Sequence, residues 1–327
     1  MPSLIEWDGE AETPLSIFGY DGDAESPYTL SDGMVAPPPP VTPQPELVGI
    51  YNGPELDVDD TTFSVFGTYP PIASRYYIGT NTINVDHHTA QIGRGTRPLI
   101  TISTRNATVS LHDIADNTEA AQTWMDNRIG AVHTLSQVDE NIPVTIALES
   151  EFEVKVNQGL ITGVSEAQYA QALDVFHTRC HANAPDVKTD YWFGGSDWTK
   201  IRNVINNMNV PPKQMSFDPY RNPSWQPANP TFRQVTEAKL NNLLTTPGYI
   251  ALGEPPVAIS ETGTDRSYGD ASGAAYIESI IPGLNELGLK YALWFNRDSG
   301  PINNSKIDGY GFDLSVAALG AAMSAGT

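Results

Sequence analysis

From residue 63 onward, short apolar runs alternate with longer segments whose apolar positions recur every three or four residues. The short runs predict buried strands: "FSVFGT" (63–68), "RYYIG" (75–79) or the neighbouring "TINV" (82–85), "RPLITIS" (97–103), "PVTIALE" (143–149), "TDYWFGG" (189–195), "QMSFDPY" (214–220), "PVAISETG" (256–263) and "KYALWFN" (290–296). Between them, residues 118–138, 165–183, 231–246 and 273–288 carry the helical period. Ser165 stands where an N-cap belongs, and Pro282 must kink or break the last helix. Eight strands alternating with helices over about 265 residues fit an α/β fold of the (β/α)8 barrel type, whose usual length is about 250 residues. The rival doubly wound sheet opens with a glycine-rich strand-to-helix turn, and the chain has none.

The first 45 residues follow another pattern. "WDGEAETPL" (7–15) recurs as "YDGDAESPY" (20–28), with aromatic, Asp-Gly, acid, Ala, Glu, hydroxyl and Pro in register. Asp-Gly and hydroxyl-Pro pairs favour turns, and two such copies bury too little surface to fold alone, so they suit a segment that orders against a partner. "APPPPVTPQP" (36–45) favours the extended polyproline II conformation of a spacer. The organisation predicted is an attachment arm over 1–35, a proline-rich linker over 36–45 and the barrel over 46–327.

Composition narrows the partners. The 18 Lys+Arg against 39 Asp+Glu give a formal charge of −21 over 327 residues, which argues against a nucleic-acid partner or an anionic membrane surface. Apolar content of 40% and charged content of 17% describe a globular chain. Neither a basic-plus-apolar leader nor an apolar run of membrane-spanning length is present in the sequence, and Cys180, the one cysteine, cannot form an internal disulfide. No cofactor motif stands out. His177 and His181 have the i, i+4 spacing of a helical metal pair but lack a third ligand, and in "VDHH" (85–88) consecutive strand residues would face opposite ways, so no metal site is expected.

In such a barrel, chemistry sits where the strands end. The fourth predicted strand ends in Glu149, Ser150 and Glu151, the fifth in Trp192 and Phe193, the sixth in Asp218 and Tyr220, the seventh in Glu261, and the eighth in Trp294 and Asn296. Acids and aromatics on one rim suit a sugar-binding cleft, and two facing carboxylates can hydrolyse a glycosidic bond. Glu261, exposed by "AISETG", is the candidate nucleophile. The general acid must then come from "ESEFE" (149–153), whose Glu149, Glu151 and Glu153 stand at every second position, so that on an extended strand all three would share one face and repel.

The paired glutamates, the aromatic residue after the sixth strand and the tryptophan ending the eighth resemble clan A glycoside hydrolases, retaining (β/α)8 enzymes. "PVAISETG" is similar to the nucleophile strand of family 26 within that clan, the β-mannanase-like group, and the resemblance extends over roughly residues 63–300. It implies Glu151 at the rim as general acid/base, with Glu149 as the alternative pointing inward below it, the crowding falling on these two and Glu153 leaving into the loop; it further implies Tyr220 as the hydrogen-bond donor to the nucleophile and Trp294 as the platform under the sugar. Trp192, Asp218 and Asn296, at the ends of the fifth, sixth and eighth strands, complete the expected substrate site. That family's acid/base glutamate follows a histidine and, further back, an arginine; this chain has Ser150 and Ala147 there, which points away from mannan. The repeated arm and proline spacer resemble minor tail proteins of bacteriophages infecting actinobacteria. That resemblance implies a virion location, contacts of residues 1–45 with other tail proteins, and a host cell-surface polysaccharide or glycan as target. A catalytically silent glycan-binding barrel is the alternative expectation.

Overall fold

The structure is a computed structural model that describes residues 47–51, 58–224, 226, 229–299, 303–308 and 310–325. The predicted arm and linker lie outside the described residues. Eight parallel strands form the barrel: β1 (Leu47–Tyr51), β2 (Ile72–Ile78), β3 (Arg97–Ser103), β4 (Thr145–Leu148), β5 (Lys188–Phe193), β6 (Gln214–Phe217), β7 (Val257–Thr264) and β8 (Tyr291–Phe295). Each pairs with the next in chain order, and β8 closes on β1 with Leu47 to Tyr51 opposite Tyr291 to Phe295. A two-residue strand, Tyr220–Arg221, extends the top of β7.

Alternation along the strands splits the core in two. Leu47, Ile72, Leu99, Ala147, Trp192, Ala258, Tyr291 and Leu293 fill the barrel interior. The intervening residues, among them Ile50, Ile100, Ile146, Tyr191, Ile259 and Trp294, pack outward against the helices. Those helices begin as their sequences direct. Ser165 and Gln168 form a capping box at Glu166–Asn183, as do Thr231 and Gln234 at Phe232–Leu244, while Thr118 caps Glu119–Ser136. The last predicted crossover is two helices, Asp270–Glu278 and Ile280–Leu287. Pro282 lacks the N–H that would continue the first helix and is tolerated in the opening turn of the second.

Two expectations at the start of the barrel are corrected. "FSVFGT" is not the first strand: its first four residues end the helix Val58–Phe66, which stops at Gly67 (φ 75°), whose N–H donates to the Phe63 carbonyl. The first strand is instead "LVGIY", five consecutively buried residues directly after the proline run. Of the two alternatives for the second strand, "RYYIG" is correct. "TINV" leads into the helix Val85–Gly93, where Asn84 accepts from the His87 N–H, so "VDHH" is helical and not extended.

Candidate active site

Glu261 sits on β7, almost fully buried at the barrel mouth. The register of β7 against β8 shifts between Ile259 and Thr262, so the alternation slips there. Ser260 therefore reaches the Ser216 hydroxyl inside the barrel, while the next residue, Glu261, also presents its carboxylate to the mouth. The Tyr76 hydroxyl donates to Oε1 at 2.6 Å and the Tyr220 hydroxyl to Oε2 at 2.6 Å. Burial pushes Glu261 up to about 8, helped by the charge of Glu151, while the two phenol donors oppose the shift by favouring the carboxylate. With both oxygens engaged as acceptors, a proton shared between Glu261 and Glu151 is best held by Glu151.

Glu151 does not continue an extended strand. β4 ends at Leu148, and both Glu149 (φ 50°) and Glu151 (φ 55°) take the left-handed backbone conformation before the helix Phe152–Asn157. Left-handed non-glycine residues are strained, and here the surroundings hold them. The Glu149 N–H donates to the Ile102 carbonyl, the Glu151 N–H to the Trp192 carbonyl, and the Tyr169 hydroxyl to the carbonyls of Leu148 and Glu149. The expected alternation of three acids is thus replaced by three separate environments.

Glu149 is buried and saturated: it accepts from the Ser103 hydroxyl, the Thr104 N–H and hydroxyl, and Lys155 Nζ at 2.8 Å. Glu153, expected in the loop, is buried in the helix, where Oε1 accepts from the Gly195 N–H. Burial pushes it up to about 7, and the Glu151 charge adds to the shift. Glu151 lies half-buried at the mouth, raised by loss of solvent and lowered by Lys155, by a hydrogen bond with Asp218 and by Lys239. The repulsion foreseen between Glu149 and Glu151 falls instead among Glu151, Glu153, Asp218 and Glu261.

The remaining predicted site residues divide. Tyr220 and Asp218 are at the acids, with burial and then the charges of Glu261 and Glu151 raising Asp218 well above the usual carboxylate range. Trp192 is fully buried in the barrel interior and is not a sugar-stacking surface; its Nε1 donates to both Asp218 oxygens, at 2.8 and 2.9 Å. Trp294 is a correction: it is fully buried in the outer core beside Tyr276. One step along β8, Phe295 occupies the position facing the mouth, stacked on Tyr51 at 5.4 Å and edge-on to Tyr220 at 6.2 Å. Asn296 is also buried, bonding Asp308 through Nδ2 and the Ile307 N–H through Oδ1, so it fastens the loop after β8. Tyr76, Lys155, Lys239 and Phe295 were not singled out from sequence. Only Tyr76 and Phe295 left a trace there, as aromatics of the correct strand parity.

A cavity of about 490 Å³ lies beyond the end of β3, bounded by the Thr104–Leu111 segment and by Leu160 to Val164, with Glu149 and Lys155, but neither Glu151 nor Glu261, among its lining residues. His177 and His181 stack at 6.3 Å; burial pushes His177 down to about 3, and its Nδ1 meets the Val210 carbonyl. The Cys180 thiol is buried and pushed up by loss of solvent. Among the described residues no group of three or more His, Cys, Asp or Glu is placed to hold a metal, and no helix is long and apolar enough to cross a membrane.

The fold and site define a closed (β/α)8 barrel with clustered acids at its C-terminal mouth. In architecture it is similar to an exo-β-1,4-mannosidase from Opitutaceae bacterium strain TAV5 (TM-score 0.56, 12% identity, 86% of this chain and 59% of that one). It is also similar to an endo-β-1,4-mannanase from Thermotoga petrophila (0.53, 11%, 86% and 77%) and to a family 26 β-mannanase from Bacteroides ovatus (0.50, 16%, 84% and 86%). The chain thus spans less than two thirds of the length of the first of these. No protein-family model and no curated protein sequence matches it.

Proposed function

We propose that the chain is a retaining glycoside hydrolase that cleaves a cell-envelope polysaccharide or glycan internally, with Glu261 as nucleophile and Glu151 as general acid/base. The observation that carries this is the pairing at the mouth: a carboxylate held by two tyrosine hydroxyls at 2.6 Å and raised by the charge of a second acid, Glu151, in the turn after β4. In the first step a Glu261 oxygen bonds to the anomeric carbon, the glycosidic bond breaks, and the Glu151 proton passes to the leaving oxygen. In the second, Glu151 takes a proton from water as the hydroxide displaces Glu261, restoring both groups. Saturation of Glu149 by Ser103, Thr104 and Lys155 favours Glu151 over Glu149 for the proton transfers.

The family 26 β-mannanase similarity supports the reaction class. Ser150 and Ala147 beside the acid argue for a glycan other than mannan. Attachment to a phage tail through residues 1–45 rests on the repeated arm and proline spacer, and copurification of the full chain, but not of residues 46–327, with tail particles tests it. For the chemistry, the test is a panel of activated 2-deoxy-2-fluoro glycosides followed by peptide mass analysis. The label is expected on Glu261, and labelling of any other carboxylate contradicts the assignment.

A further inference from the structure

The cavity beyond the end of β3 lies outside the chemistry proposed above, since neither Glu151 nor Glu261 lines it. Its volume of about 490 Å³ falls within the roughly 300–1,000 Å³ of small-molecule sites. One buried carboxylate ties its walls together. Glu149 accepts from the Thr104 N–H and hydroxyl on one side, and from Lys155 Nζ, at 2.8 Å, at the root of the other. Behind the first wall stands Gly79, where a Cβ would lie 2.8 Å from the carbonyl oxygens of Arg105 and Asn106. The second wall turns back on the Lys155 carbonyl, which accepts from the Leu160 and Ile161 N–H groups. His112 Nε2, from the helix Leu111–Ala115, donates to the Gly163 carbonyl at 2.9 Å and joins the two walls. A cavity held in this way is preformed, so a ligand meets little ordering cost.

We infer that this cavity is a second binding site, for an uncharged saccharide unit, separate from the cleavage centre. Leu160, 49% exposed, offers with Ile161 and Val164 an apolar wall for the C–H face of a sugar ring. From the facing segment, the side chains of Arg105, Asn106 and Thr108 make no hydrogen bond or ion pair among the described residues, which leaves them for sugar hydroxyls. The charged lining groups cancel, Arg105 and Lys155 against Asp113 and Glu149, and both carboxylates already accept from their neighbours. With no net charge to offer on a chain of formal charge −21, the cavity favours a neutral sugar over an anionic one. In the hydrolase proposed above, this second point of attachment keeps the polymer near the mouth between cuts by raising its effective concentration. That consequence rests on the hydrolase reading; the binding itself does not.

The test is methyl NMR of the full chain, 13C-labelled at Ile, Leu and Val. It is titrated with mannotetraose, maltotetraose, galactotetraose and arabinotetraose, and with trigalacturonate as the anionic arm. At least one neutral tetrasaccharide should shift the Leu160, Ile161 and Val164 methyls saturably, with a Kd of about 1 mM or tighter. Arg105→Ala, at an exposed side chain, should weaken that binding about tenfold. Thr108→Trp, also at an exposed position, fills the cavity and should abolish the shifts. Glu261→Gln should leave them in place, so loss of the hydrolase assignment, seen as turnover persisting in that variant, is a separate outcome. Shifts produced by no neutral tetrasaccharide, or by trigalacturonate alone, overturn the proposal, as does an affinity unchanged in Arg105→Ala.

Discussion

Tyr76 and Tyr220 each place one hydroxyl on one oxygen of Glu261, and their loss has a definite sign. A donor to the charged form lowers the carboxylate pKa, so Tyr76→Phe or Tyr220→Phe should raise that of Glu261 and move the acid limb of kcat/KM upward by about one pH unit, with kcat reduced roughly tenfold. An unmoved acid limb in both variants would show that the phenols do not support the carboxylate. Lys155→Met removes the cation from buried Glu149 but leaves the Ser103 and Thr104 donors, so a loss of roughly 1–3 kcal/mol in unfolding free energy is expected by denaturant titration. At this scale sequence revealed the acids because strand ends with Glu are visible in a string of letters. It misassigned Trp294 because the choice between Trp294 and Phe295 turns on strand parity, and Tyr76 escaped notice because its partner lies 185 positions away.

Among the elements, β1 and β7 carry the features that aim the site. Gly49 faces Ile72 so closely that a Cβ there would lie 2.3 Å from the Ile72 carbonyl oxygen, which is backbone and cannot swing aside. Gly49→Ala should therefore part β1 from β2 and cost roughly 2–3 kcal/mol, measured by the shift of the unfolding midpoint; an unchanged midpoint would contradict that contact. The six later strands were legible because each is a compact apolar run with a polar end. The first was not: "LVGIY" follows a proline run that reads as spacer, while the spaced aromatics of "FSVFGT" imitate strand alternation although Thr62 and Phe66 are buried at helical spacing and Phe63 is exposed. The register shift in β7 and the left-handed turns at Glu149 and Glu151 depend on neighbouring strands, and no local pattern announces them.

For the molecule as a whole, buried acids set the pH dependence of stability. Burial pushes Glu153 and Asp190 up to about 7 and Glu261 to about 8, so between their unfolded values near 4 and these folded ones the native state binds more protons than the unfolded chain. That contribution is full below about pH 4 and is lost progressively as pH rises from there to about 8. Buried His88 and His177, pushed down to about 3, act oppositely, but their contribution is complete above about 6.5. Stability should then fall between pH 6.5 and 8 by on the order of 1–3 kcal/mol per unit, and Asp190→Asn should flatten that slope; a stability that rises over this window would contradict the account. The central claim, that the mouth acids cleave a glycan through Glu261, is tested most directly with polysaccharide purified from an actinobacterial cell envelope and mass analysis of what is released. The account predicts oligosaccharides from the native chain and at least about 10³-fold less from an equally folded Glu261→Gln variant; equal release by the two would contradict it.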